Sequence, residues 1–469
     1  MSAFEDLIRG EAPLLDAYLF VLDGDAAPFT IPGHKRNPAF GRVVAGDVPL
    51  HGGLDSISLT GGVLVEAERR AAALWGADVA RFSVAGSTHG NQALALAVGR
   101  PGDRVVVPRT LHRSLLLGLV LAGLEPVWLP TRVDPVHGLP LGCRREDVEQ
   151  VLRDHPDVVA VFVGDPTYVG TVGELAQVAD LVHGAGLPLL VDAAWGAHFG
   201  FHPALPEHAL QAGADALVTS AHKMLPAYSQ AALVLARTER LDPARLQSAF
   251  DATHTTSPAG ALLASLDAAR ALLQLDGEAQ LERPVRLVAA ARARLGEVPG
   301  LTVLDTAEAT RLVIGLAGTG ADGVAVGRDL REAGVEVELA DRDWLIPVVT
   351  LADTKDTVDR LVSTLVAAVR RLAGPPRENV VAASWSVRPE IVLPPREAFF
   401  ATAATLPVEE AVGRVSVELV APYPPGVPVL APGERITAEA VASLQAAARA
   451  GTRIAYAADP TMKTLRVVA

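Results

Sequence analysis

Residues 187–225 read LPLLVDAAWGAHFGFHPALPEHALQAGADALVTSAHKML, and the reading of this stretch decides the fold. Two short apolar runs, 187–191 and 216–219, are bounded by Gly- and Pro-containing turns and flank an Ala-rich stretch. Apolar runs of this length, without polar alternation, suit strands buried on both faces. The Ala-rich stretch predicts a helix, so the segment reads as strand–helix–strand in a buried parallel sheet. The first run delivers Asp192 at its C-terminal tip, and the second delivers Ser220, His222 and Lys223. In open α/β sheets ligands lie outside the carboxyl ends of the strands, so both tips are expected to face one crevice.

Working outward, further strand-like runs fall at 81–84, 104–108, 125–129, 158–164 and 231–236. With the two above they make seven, mostly separated by helical patterns, which predicts a doubly wound α/β sheet. The loops after these runs carry chemistry. Gly86-Ser87-Thr88-His89-Gly90-Asn91 follows the 81–84 run and opens a helix. Small hydroxyl residues there suit either a phosphate, held by free N–H groups and the positive end of the helix dipole, or an ordinary N-cap. His112 stands where the helix after 104–108 begins; its flat ring could stack on an aromatic cofactor or face water. Asp165-Pro166-Thr167-Tyr168 closes the 158–164 run and brings its hydroxyls, those of Thr167 and Tyr168, to the same side. An acid and a lysine at neighbouring strand tips suit pyridoxal 5'-phosphate (PLP): the lysine holds the cofactor as a Schiff base, and the acid keeps the pyridine nitrogen protonated. Only four lysines occur, at 35, 223, 355 and 463, and only Lys223 follows a buried-strand pattern. A surface lysine and a helix-capping aspartate are the plain alternative.

Composition bounds the classes. The 469 residues allow two or three domains, and with half of them apolar and 20% charged they describe a well-cored chain. A net charge of −13 argues against nucleic acid and anionic membranes as partners. The single cysteine, Cys143, excludes an internal disulfide and a cysteine-built zinc site, which fits a reducing cytosol. The start MSAFEDLIRGEAP lacks the basic segment of a secretory signal, and the longest apolar run, 115–124, is too short to span a bilayer. His198, His202 and His208 lack metal-ligand spacing, so no metal is expected.

Four units are expected: an arm over 1–60, a large domain over 61–289, a small α/β domain over 290–375 and a C-terminal domain over 376–469. The arm holds a helical pattern at 11–22 and the turn Pro32-Gly33-His34. The small domain is read as strands at 311–316, 335–339 and 345–349 with helices at 324–333 and 356–372. It contains a literal G-x-G-x-x-G, Gly318 to Gly323, which taken alone proposes a dinucleotide site. The unit is too short for two mononucleotide halves, and Asp322 would oppose a pyrophosphate. Pro375, Pro376 and the prolines of 389–395 mark the last boundary. The Pro-rich run from Ala421 to Pro428 reads as rigid, extended chain without chemistry of its own.

Taken together these motifs resemble the Orn/Lys/Arg decarboxylases, in a short form. The likeness covers nearly the whole chain: PGHKRN (32–37), GSTHGN (86–91), PRTLHRS (108–114), DPTYVG (165–170), VDAAWGAHFGFHP (191–203), TSAHKML (219–225), TSP (256–258) with LLASLDAAR (262–270), and PREAFFA (395–401), EAVGR (410–414) and APYPPGVPVLAPGE (421–434). The resemblance implies a fold type I PLP enzyme of the aspartate aminotransferase architecture, with a seven-stranded, mainly parallel sheet. It implies Lys223 as the Schiff-base lysine, Asp192 as partner of the pyridinium, and His112 stacked on the ring. Either the freed Lys223 or His112 could return a proton to Cα after CO₂ leaves, and the sequence does not choose between them. Ser87, Thr88, Ser220 and His222 would bind phosphate, Trp195 would line the pocket, and Thr167 would reach the ring oxygen. Glu338 would meet the distal cation of the substrate, with His34 a second candidate for substrate contact.

The implied reaction is decarboxylation of arginine, ornithine or lysine to its amine and CO₂. It would belong to polyamine biosynthesis, in a cytoplasmic homodimer or larger homo-oligomer. Three departures from the family pattern bear on substrate. Asp192-Ala193-Ala194-Trp195 lacks the expected glutamate, Thr256-Ser257-Pro258-Ala259-Gly260 lacks an aromatic, and Ser58-Leu59-Thr60-Gly61-Gly62 lacks the expected histidine and proline. They keep open another PLP-dependent Cα reaction, of aminotransferase or aldolase type, and a PLP-binding regulatory protein without catalysis.

Overall fold

A computed structural model describes residues 3–24, 29–49, 62–379, 390–423, 426–449 and 452–469. The altered segment at 58–61 and Pro389, Pro424 and Pro425 lie outside the described residues. At the centre is a seven-stranded sheet of order β1-β7-β6-β5-β4-β2-β3. Its strands are β1 (Val79–Ser83), β2 (Arg104–Pro108), β3 (Glu125–Leu129), β4 (Val158–Gly164), β5 (Leu189–Asp192), β6 (Ala216–Ser220) and β7 (Ala232–Ala236). β3, β2, β4, β5 and β6 run parallel, and only β7 runs against its neighbours. Helices cover both faces, so the central strands have no wet side. Leu190, Val191, Leu217 and Val218 are 0–2% exposed, and each such side chain contributes on the order of 1.5–3 kcal/mol of burial free energy. The fold expected from the sequence is the one found.

The link between β5 and β6 is not the helix that its alanines suggested. Residues 193–215 form consecutive turns. Gly200 and Gly213 adopt positive φ, 81° and 100°, and Pro203 and Pro206 interrupt any helical hydrogen-bond ladder. The consequence is functional, because a turn directly after Asp192 swings Trp195 back over the strand tips.

The arm packs onto the long helix Gly260–Gly296: its own helix, Pro13–Asp23, starts where the Leu14 N–H donates to Asp267 Oδ2 at 2.8 Å. That long helix runs on past residue 290 into the small domain, so no linker separates the two units. It carries one non-helical residue, Asp276, and Pro284.

The small domain has a four-stranded antiparallel sheet of β8 (Thr302–Val303), β9 (Ile314–Gly315), β10 (Leu339–Ala340) and β11 (Trp344–Ile346). These strands are shorter than the apolar runs that announced them. Helices Gly323–Glu332 and Lys355–Leu372 cover the sheet. The G-x-G-x-x-G is a helix start and not a dinucleotide loop. Asp322 accepts the Ala325 N–H at 3.0 Å, and a Cβ on Gly320 would lie 2.3 Å from the backbone of Gly374. The glycine lets two chain segments touch.

The C-terminal unit pairs β12 (Ala403–Pro407) with β15 (Thr464–Val468) and β13 (Ala421–Tyr423) with β14 (Arg453–Ala455). A buried ion pair fastens it to the large domain: Arg109 Nη2 lies 3.0 Å from Glu434 Oε2, with side chains 3% and 1% exposed. The guanidinium also lies 4.8 Å from the centroid of the Trp128 ring. Arg109→Ala would leave a carboxylate buried without its cation, at a cost of about 3–5 kcal/mol. A loss of unfolding free energy of that size in urea denaturation is the expected result; unchanged stability would mean the pair is not what fastens the unit.

Candidate active site

The carboxyl ends of β2, β4, β5 and β6, the loop after β1, the small-domain segment before β10 and the strand end at Tyr423 enclose one cavity of about 820 Å³. Of the residues singled out from the sequence, Ser87, Thr88, His112, Thr167, Asp192, Trp195, Ser220, His222, Lys223 and Glu338 all line it. His34 does not. Its Nε2 is 3.0 Å from Asp47 Oδ2 and its Nδ1 accepts the Arg36 N–H at 2.9 Å, so both ring nitrogens are satisfied within the arm.

One end of the cavity is built for an anion. The helix Gly86–Val98 begins there, with Gly86 at φ 70° turning the chain out of β1. Its first N–H groups have no partner within the helix, and its dipole adds positive potential. Ser87 Oγ and Ser220 Oγ meet at 2.7 Å, which brings β1 and β6 chemistry together. His222 donates Nδ1–H to the Ala231 carbonyl at 2.9 Å, so Nε2 is the free ring nitrogen. Burial lowers the pKa of this imidazole, and a bound phosphate dianion would oppose that shift.

Asp192 and Lys223 stand at the centre. The Asp192 carboxylate accepts from Asn91 Nδ2 at 2.7 Å and from the Ala194 N–H at 3.2 Å. Burial lowers the pKa of Lys223, Asp192 and Glu338 oppose the shift, and Arg311 adds to it. Lys223 Nζ sits 4.3 Å from the centroid of the Trp195 ring, and Arg311 Cζ sits 4.5 Å from it. Arg311 is held from below by Glu308, 3.1 Å from its Nε; Glu308 also takes bonds from Thr310 and His198. The tryptophan ring therefore contacts both a lysine that faces the cavity and the arginine of a buried ion pair of the small domain.

His112 caps the helix Arg113–Ala122, its Nδ1 accepting the Ser114 N–H at 3.2 Å and meeting Ser114 Oγ at 2.8 Å. Burial lowers its pKa, and the Asp192 charge opposes the shift. Thr167 Oγ1 bonds Thr171 Oγ1 at 2.6 Å, which holds its loop against the cavity wall.

Glu338 meets Tyr168, whose hydroxyl lies 3.4 Å from Oε1; burial keeps that phenol protonated. Tyr168 stands edge-on to Trp195 at 5.6 Å. Tyr423 and Val427, from the run read as chemically silent, line the cavity as well.

Asn91, Ser114, Arg311 and Tyr423 carry no individual mark in the sequence reading. For Asn91 a signal existed: it lies four residues after Ser87 on one helix, hence on the same face. Nothing local marks Arg311 or Tyr423, which tertiary folding brings in from other domains.

PLP fits this donor set: a buried amine, a carboxylate opposite it, a flat imidazole, and hydroxyls at a helix start. Among the described residues, no group of three or more His, Cys, Asp or Glu side chains is placed to hold a metal ion, and no helix is long and apolar enough to cross a membrane.

The chain matches the family model described as "Orn/Lys/Arg decarboxylase, major domain" over residues 12–315 and the "C-terminal domain" of the same name over residues 378–454. It is 34% identical to an arginine decarboxylase of Halalkalibacterium halodurans, covering 98% of both chains. It is 32% identical to an arginine decarboxylase of Bacillus subtilis, covering 94% of both. In fold it is similar to the lysine decarboxylase LdcF of Francisella novicida, with TM-score 0.83 at 19% identity over 98% of this chain and 82% of that one. A serine palmitoyltransferase of Sphingomonas wittichii superposes with TM-score 0.58 at 16% identity, over 78% of this chain and 85% of that one.

Proposed function

The chain belongs to the Orn/Lys/Arg decarboxylase family, and from that premise we propose that the basic amino acid it decarboxylates is arginine, with agmatine as product. It is a PLP-dependent amino-acid decarboxylase. The observation that carries the choice of arginine is the pairing of Glu338 with Tyr168 in the cavity lining, which Tyr423 shares. A guanidinium is flat, pairs with a carboxylate through two parallel bonds and stacks on aromatic rings; an ammonium does neither as well. The names of the relatives at 32–34% identity support the same reading.

Bound in this cavity, PLP would supply the aldehyde that holds the amino acid and the electron-accepting ring that takes the pair left when CO₂ departs. The chain's own residues do the rest. Lys223 is the residue proposed to hold the cofactor, and its lowered basicity makes a neutral amine accessible, as attack on an aldehyde requires. Asp192 keeps a negative charge where a ring nitrogen must stay protonated. Ser87, Thr88, Ser220 and His222 would hold the phosphate, His112 and Thr167 would contact the ring, and Trp195 would shield Lys223 from water. Glu338 orients the substrate by its distal cation.

Two finer assignments accompany this reading. The division at about residues 60, 289 and 375 is proposed, with the helix Gly260–Gly296 joining the second and third units. A cytoplasmic homodimer that feeds polyamine synthesis is proposed as well. Phe20, Phe40 and Val43 of the arm are 80%, 62% and 89% exposed, which supports a second copy covering that face.

Glu338→Gln keeps the shape and removes the charge. Its kcat/KM for arginine should fall roughly 10- to 100-fold, the worth of a charge-assisted hydrogen bond, with most of the change in KM. Steady-state kinetics on arginine, lysine and ornithine test this. A wild-type preference for lysine or ornithine, or an unchanged Glu338→Gln, would remove arginine as the substrate.

A further inference from the structure

Asn91 is 1% exposed and Ser114 is wholly buried, and together they connect two groups that no covalent path joins closely. The Asn91 amide nitrogen is 2.7 Å from Asp192 Oδ2 and 2.9 Å from Ser114 Oγ. An ionised carboxylate only accepts, so the nitrogen of Asn91 must face Asp192, and its two hydrogens are shared between that carboxylate and the serine oxygen. Having accepted from Asn91, Ser114 Oγ turns its own hydrogen to His112 Nδ1, 2.8 Å away. That nitrogen also faces the Ser114 N–H at 3.2 Å. With two donors aimed at it, Nδ1 carries no proton, and the imidazole is neutral with its hydrogen on Nε2.

The backbone is shaped to make this reach possible. A Cβ on Gly118 would meet the Asn91 carbonyl oxygen at 3.2 Å and Gln92 Cα at 3.1 Å, so the helices Gly86–Val98 and Arg113–Ala122 lie closer there than a larger residue allows. A Cβ on Gly90 would meet Val218 at 2.7 Å, which seats the first helix directly on β6. Asn91 is thus pinned between β6 and the second helix, with the tip of β5 in front of it.

We propose that Asn91 is a positioning residue that couples Asp192 to His112 through Ser114, fixing the carboxylate towards the ring nitrogen and holding His112 as the neutral Nε2–H tautomer. This rests on the reading of the cavity as the PLP site. It answers a question the sequence left open, namely which group returns a proton to Cα after CO₂ leaves. A neutral imidazole has no acidic proton to give, so His112 is not the donor and Lys223 Nζ is left of the two candidates.

Asn91→Ala removes both arms, and Ser114→Ala removes only the histidine arm. In Asn91→Ala the pH midpoint of the bound cofactor's visible band should shift by about one unit, the scale of one charge-assisted bond. Cofactor affinity, measured by equilibrium dialysis, should fall about tenfold, and kcat more than KM. Ser114→Ala should keep wild-type cofactor affinity. Should Asn91→Ala fail to fold, ¹⁵N spectra of histidine-labelled wild-type holoenzyme test the same claim, with the His112 signal assigned by its loss in His112→Phe. A bare Nδ1 and a protonated Nε2 at neutral pH are expected. An imidazolium, an Nδ1–H tautomer, or an Asn91→Ala protein with unchanged midpoint, affinity and kcat would overturn the proposal. Wild-type protein that binds no PLP would instead overturn the reading of the cavity, so the two failures are distinct.

Discussion

Lys223→Ala is expected to abolish decarboxylation, with kcat lowered on the order of 10⁴-fold or more, because the covalent anchor and the proton carrier are lost together. No other lysine can stand in. Lys355 is exposed on its helix and bonded to Asp359, and Lys35 and Lys463 belong to the arm and the C-terminal unit. The fold should tolerate the change, since burial already disfavours the Lys223 charge and its removal relieves that cost. Turnover assays, with circular dichroism as the control for folding, check this. Residual PLP binding without a covalent adduct in the mass spectrum is the accompanying signature. A Lys223→Ala protein that turns over at even a tenth of the wild-type rate would remove this lysine from the reaction.

Asp192→Asn is expected to lower kcat by about 10²–10³-fold, the usual cost of one preorganised electrostatic partner. Asparagine keeps the size and can still accept from Asn91 and the Ala194 N–H, so the β5 tip stays in place. What it loses is the charge that holds a ring nitrogen protonated. The variant should therefore retain cofactor and still bind arginine, and fail at the chemical step. Single-turnover kinetics separate these, and a change confined to KM would contradict the role.

Much of this was legible in the chain. The strand tips could be read because Leu, Val and Ala runs buried on both faces leave no polar alternation, and Asp192 and Lys223 follow directly from where those runs stop. The turn over 193–215 was misread for a compositional reason: alanine favours helix, but glycines at positive φ and two prolines decide the backbone. Local pattern cannot place His34 either. Its Pro-Gly-His turn looks like site chemistry, whereas in the fold its ring is engaged by Asp47 and Arg36 within the arm. Arg311, Tyr423 and Val427 were illegible because their relevance comes from packing of the small and C-terminal domains onto the large one. Asn91 lies between these cases, marked by helical spacing from Ser87 but given its meaning by Asp192, one hundred and one residues away.

The departures at Ala193 and Ala259-Gly260 leave the cofactor residues untouched. Ala193 is buried and donates its N–H to the Val218 carbonyl at 2.8 Å, so it serves the sheet and does not line the cavity.

The most direct test is to incubate the PLP-loaded protein with carboxyl-labelled arginine, ornithine and lysine separately, counting released CO₂ and identifying the amine. Equal amounts of CO₂ and agmatine from arginine, with far slower release from the other two, is the result expected here. Cofactor bound but no CO₂ from any of the three, or a keto acid in place of an amine, would contradict it.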